Sequence, residues 1–251
     1  YSNFSPKGYV YNDGLIDVDG SWESSGNDAY FENYGTILVG GHMNLNSATY
    51  NYNACKIIVA DKFHQNSPGC TFEMGEGSYL ETGDDCEFTK DETIFNDGAM
   101  IKCPKLFTNN QSVFTANGDA IVWVTQEMDV KGDINGPLTI AYDSGVDPDI
   151  SGDLSNGANA TPIGDVTLFL PVSDCKPSGF GSPTVLDADF DGVPDDIDEY
   201  LNDPERASNS YFPSQGAWGT IGFEDLWPST GDFDFNDLIL DYSGVIVKNA
   251  A

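Results

Sequence analysis

Short β-prone runs, each closed by turn-forming residues, set the terms for the first two-thirds of this 251-residue chain. They fall at 36–39, 55–59, 71–74, 93–95, 100–103, 121–125, 138–142 and 166–170, with Gly, Pro, Asn or Asp at their borders. No window of a dozen residues carries a clean 3.6-residue period, and Gly or Pro interrupts almost every stretch. A chain punctuated in this way cannot build a helical bundle, so it must stack many short strands. The cysteines suggest how. Cys55, Cys70, Cys86 and Cys103 recur at nearly even intervals, and each lies beside a β-prone run. Phe31-Glu32-Asn33-Tyr34-Gly35 resembles Phe95-Asn96-Asp97-Gly98, and the interval between the two Phe is four times that of the cysteines. A repeat of about 16 residues predicts a parallel β-solenoid over 1–175, each turn made of short strands and stacked about 4.8 Å above the last. In that register the four cysteines form an inward ladder of packing thiols, one pair of which is close enough to oxidise. Phe31 and Phe95 lie on one face, about four rungs or roughly 19 Å apart. Cys175 falls outside the rhythm.

Composition narrows the function classes. Asp plus Glu number 41 against 10 Lys plus Arg, a net charge of −31. Nucleic acid and anionic membranes both demand basic residues, so neither is expected as a partner; cations, calcium above all, are. No run of 18 apolar residues exists, so no transmembrane segment is expected, and Tyr1 reads as a processed or trimmed start. Five cysteines cannot all pair within one chain. Two His and one Arg leave few groups for acid–base catalysis, which reads against an enzyme. Glycoside chemistry needs only carboxylates, so a carbohydrate-active β-helix enzyme, a polysaccharide lyase or hydrolase, is the alternative. Its candidates would be Glu73, Glu76, Glu81, Asp84 and Asp85, which read more simply as a solvated acidic rim. His42 and His64 belong to no motif and are expected on the surface.

A Gly/Pro/Ser-rich stretch, 176–186, reads as a linker. Beyond it, 182–242 holds 15 of the 41 acidic residues and one basic residue. The run from Asp187 to Asp198 has the logic of a calcium loop. Asp187, Asp189 and Asp191 stand at positions one, three and five, and Gly192 at six, where the chain must turn sharply. Val193 offers its carbonyl at seven, Asp195 stands at nine and Asp198 at twelve. Pro194, with no N–H to give, and the missing flanking helices exclude an EF-hand. A second cluster joins Glu224 and Asp225 to Asp232, Asp234, Asn236 and Asp237, with 238–242 reading as a strand. Alternating acidic side chains share one side of an extended loop, and so many carboxylates repel one another without a cation.

The first loop resembles a thrombospondin type 3 repeat. The whole stretch from Asp187 to Tyr242, with GVPDDIDEYLNDPERA, GTIGFEDLWP and GDFDFNDLILDY, resembles the front of the LruC domain family of bacterial surface-associated and outer-membrane lipoproteins. That resemblance is confined to the last part of the chain. It implies a secreted or cell-surface protein, outer-membrane associated, of unspecified biochemical activity, with solenoid-like segments upstream. The expectation is therefore all-β: a parallel β-solenoid (β-helix) at 1–175, a linker at 176–186 and a calcium-binding segment at 187–251. Its role would be structural or adhesion-type, with Ca2+ as a structural ion and an extracellular glycan or protein as partner.

Overall fold

In a four-residue strand, apolar side chains at every second position bury one row and leave the other outside. Thr36–Val39, Lys56–Val59 and Thr71–Met74 all follow that pattern, with the second and fourth residues buried. Such strands cannot close a core alone, so they stack. The computed structural model describes residues 2–26, 28–90, 92–182, 188–189, 191–223 and 238–249. The chain divides into two units, Tyr1–Pro183 and Thr184–Ala251.

The first unit is a parallel β-solenoid with three flat sides. On the first side, eight strands from Tyr9–Asn12 to Leu154–Ser155 form one parallel sheet. The other two sides belong to a 13-stranded sheet. Two long strands, Met100–Thr108 and Ala120–Val130, run through the corner between those sides, with a register shift between Cys103 and Lys105. The inward rows interlock as one apolar column, in which Trp22, Phe31, Phe63, Phe72, Phe88, Phe95 and Phe114 are fully buried. Corners stack as tightly as strands: a Cβ on Gly35 would stand 2.1 Å from the Gly14 carbonyl oxygen, so no larger residue fits there.

The repeat is longer than the cysteine spacing suggests. Along the first sheet Tyr9 aligns with Tyr30, Tyr50 with Thr71, Thr71 with Glu92 and Val113 with Asp133. Equivalent side chains on successive coils, such as Asn12, Asn33 and Asn53, are separated by 21 and then by 20 along the chain. The four cysteines are not equivalent positions and make no ladder. Cys86 lies in Asp85–Phe88 on the third side and Cys103 ends the second-side half of Met100–Thr108, while Cys70 precedes a first-side strand. Cys55 is disulfide-bonded to Cys175. Phe31 and Phe95 do share the first sheet's inner side, but three coils apart, and in register Phe31 leads to Thr93. Three coils are about 14 Å. Alkylation of the native protein is expected to spare Cys70, Cys86 and Cys103, which are buried thiols; after unfolding without reductant, three thiols per chain should react. Five reactive thiols would remove the disulfide, and rapid native labelling would remove the register.

The second side is apolar outside as well as inside. Tyr79, Met100, Ile121 and Ala141 point outward and are buried under Leu170 and Phe180. Residues 163–182 therefore return along this side as a strap, with Ile163–Asp165 a single 3-10 turn and Leu170 paired to Phe180. A sheet covered on both faces loses its polar alternation, which explains the unbroken run AIVWV. The predicted strand at 166–170 belongs to this strap rather than to a coil. So does the start of the predicted linker, since Lys176 is 2% exposed and donates to the Gly98 carbonyl at 2.8 Å.

The second unit contains two antiparallel ladders, Ser208–Phe212 with Gly244–Lys248 and Gly219–Phe223 with Leu238–Tyr242. No helix of the described residues is long and apolar enough to cross a membrane.

Candidate functional site

The loop after residue 187 is shaped by its own side chains. Asp189 Oδ1 accepts from the Asp191 N–H at 3.3 Å and Asp191 Oδ1 from the Val193 N–H at 2.8 Å, two Asx turns in succession. Gly192 follows at φ +93°, a backbone setting natural for glycine. Pro194 then opens a helical turn: its carbonyl accepts from both Ile197 and Asp198 at 3.0 Å. That turn carries Asp198 back to the loop, where it is 9% exposed and accepts from the Tyr200 N–H at 2.8 Å. As a result, carboxylate oxygens of Asp189, Asp191 and Asp198 all lie within 4.8 Å of one another. The Oδ2 atoms of Asp189 and Asp191 are buried from solvent and have no hydrogen-bond partner among the described residues. Oxygen-only donors converging from a tight loop suit a hard cation.

The expected ligand set is brought together in part. Asp195 turns elsewhere and accepts from the Ala188 N–H at 2.8 Å. Val193 uses its N–H within the loop. Asp187, Glu224, Asp225, Asp232, Asp234, Asn236 and Asp237 lie outside the described residues.

On the solenoid, three of the carboxylates named for the enzymatic alternative, Glu81, Asp84 and Asp85, are tied to lysines of neighbouring coils. Lys105 Nζ lies 2.8 Å from Asp84 and 3.3 Å from Asp85, Lys62 lies 3.6 Å from Asp84, and Lys102 lies 3.0 Å from Glu81. The Lys105 hydrogen bond holds the Asp84 carboxyl below its ordinary value. His42 lies 2.6 Å from Glu23.

Glu73 belongs to a different arrangement, which sequence reasoning missed. The outward row of the first sheet presents Tyr9, Tyr11, Tyr30, Tyr50 and Tyr52, with Tyr34 in the adjoining corner. Their rings form one stacked pair, Tyr9–Tyr30 at 4.8 Å, and one series, Tyr11–Tyr34 at 5.6 Å, Tyr34–Tyr52 at 5.7 Å and Tyr50–Tyr52 at 6.5 Å. Glu32, Tyr34, Tyr50, Tyr52 and Glu73 line a depression of about 320 Å³. Tyr50 donates to Glu73, whose other oxygen accepts from the Asn96 amide at 2.7 Å. Partial desolvation, with Glu32 adding to it, raises the phenols of Tyr9 and Tyr34 above their ordinary value. The signal was present in the sequence as tyrosines at 9, 30 and 50, one repeat apart.

Comparison with protein-family models, with curated proteins and with solved structures finds no match for this chain.

Proposed function

We propose that this chain is a calcium-binding β-solenoid of the bacterial cell surface, secreted or outer-membrane associated, whose role is structural or adhesion-type binding. The observation that carries the calcium reading is the pair of buried, unpartnered Oδ2 atoms of Asp189 and Asp191 beside Asp198. Three carboxylates held this close repel one another, and a divalent cation removes that penalty. Asp189, Asp191 and Asp198 are the ligands assigned, with Asp187 and the Val193 carbonyl completing the set by loop position. The Cys55–Cys175 disulfide supports an extracellular setting, since such bonds persist where the surroundings are oxidising. The LruC-like motifs between Asp187 and Tyr242 point to the same place.

Extracellular calcium modules bind at about 10⁻⁴–10⁻³ M, suited to constant occupancy outside a cell. An ion that binds only the folded state stabilises it by about 2.7 kcal/mol at a hundredfold excess over Kd. Chelation is therefore expected to lower the melting of the Thr184–Ala251 unit and open it to protease, while the solenoid stays folded. Asp189→Ala should abolish most of the calcium response. Titration calorimetry that detects no binding at millimolar calcium would sink this reading, as would proteolysis indifferent to chelator.

A further inference from the structure

Outward aromatic rows on a sheet can be purely structural, since neighbouring rings on adjacent strands stabilise their pairing. Three features set this row apart. First, Tyr9, Tyr11, Tyr30, Tyr34 and Tyr50 are each 36–55% exposed, so part of each side chain is open to a ligand. Large exposed apolar patches on otherwise polar surfaces mark contact sites. Second, no described base forms an ion pair with Glu32 or Glu73, although Lys105, Lys62 and Lys102 neutralise the carboxylates of the neighbouring side. These two glutamates interact with phenols instead. Third, Tyr11, Tyr34 and Tyr52 carry a series of rings across three successive coils, beside the separate Tyr9–Tyr30 pair, so the surface suits an extended ligand with a short repeat.

From these features we infer that the tyrosine face of the first sheet binds a neutral polysaccharide, with Tyr9, Tyr30, Tyr34, Tyr50 and Tyr52 as stacking platforms and Glu32 and Glu73 as acceptors for sugar hydroxyls. A pyranose presents a face of C–H bonds that packs on the electron-rich face of an aromatic ring. Its equatorial hydroxyls reach beyond the ring edge, where the phenol and carboxylate oxygens accept them. Rings of successive coils stand 4.8–5.7 Å apart, so successive sugars of an extended chain meet neighbouring platforms. Tyrosine suits this task because it offers a rigid amphipathic surface at small entropic cost. The net charge of −31 and the unneutralised glutamates exclude anionic glycans. A cationic ligand fits less well, because the rings line an open surface rather than enclosing a point charge. This inference rests on the surface-binding reading above but not on its calcium site.

Affinity electrophoresis of the full chain through gels containing xyloglucan, mannan or amylose tests it, with polygalacturonate and polylysine as charged probes. Retardation by at least one neutral glycan is expected, and none by polygalacturonate. Tyr34→Ala with Tyr52→Ala should weaken that binding at least tenfold, whereas the Phe versions should retain most of it because they keep the platforms. Melting temperature and protection of Cys70, Cys86 and Cys103 verify that each variant is folded. No retardation by any neutral glycan, or equal retardation of the alanine variant, overturns the inference. Binding of polylysine alone, lost in the alanine variant, assigns the face to a cation and overturns it too. Glycan retention should survive chelation, so loss of one reading leaves the other measurable.

Discussion

Replacing Cys55 and Cys175 by alanine should cost the solenoid unit about 2–5 kcal/mol, read as a lower denaturant midpoint. The bond joins residues 120 apart in sequence. In the chain-entropy account, cross-linking a loop of about 100 residues removes about 4.7 kcal/mol of freedom from the unfolded chain. The native state loses something more local. Cys175 lies within the strap that buries Tyr79, Met100, Ile121 and Ala141, and Lys56 Nζ donates to the Asp174 carbonyl beside it at 3.1 Å. Without the bond, the strap is held by its apolar contacts, by Lys56 and by Lys176, whose ammonium is buried and therefore held below its ordinary value. Amide exchange at Leu170 and Phe180 should then accelerate well before the coils open. A midpoint unchanged in the double variant, or strap amides as protected as before, would show that the disulfide does not anchor this segment.

Much of the fold is legible because strand formation here is local. The predicted spans 36–39, 71–74, 138–142 and 238–242 coincide with observed strands. The period is misread when cysteines serve as register marks. Thiols pack on any of three sides, so their spacing reports no particular side. Asn12, Asn33 and Asn53, each followed by a turn, carry the true repeat. The acidic loop is legible for the same local reason: Asx turns and a glycine act within a few positions of one another. Asp195 departs from its expected place because a nearby N–H competes for its carboxylate. The pairing of Cys55 with Cys175 was out of reach, since it depends on where a returning strap lies across four coils. The tyrosine face needs the same knowledge of register, because only the correct repeat places Tyr9, Tyr30 and Tyr50 in one row.

The asparagines also set the second large effect. Asn12 Nδ2 donates to Asn33 Oδ1 and Asn33 Nδ2 to Asn53 Oδ1, both at 2.7 Å. The same amides reach the carbonyls of Thr36, Lys56 and Tyr79, each at 3.1 Å. This ladder satisfies the corner between the first and second sides, where Asn33 and Asn53 are fully buried. Asn33→Leu keeps the branched side-chain shape but removes an acceptor from Asn12 and a donor from Asn53. A buried polar group left without its partner costs about 1–3 kcal/mol, so the single variant should lose several kcal/mol. The column itself shows what relieves the penalty: beyond Asn53 it continues with the apolar Met74 and Phe95. Replacing Asn12, Asn33 and Asn53 together by apolar residues should therefore cost clearly less than the three single losses summed, because no amide is then left facing an apolar neighbour. Losses that simply add would mean that each asparagine acts through its corner carbonyl alone, and the ladder would contribute nothing as a unit.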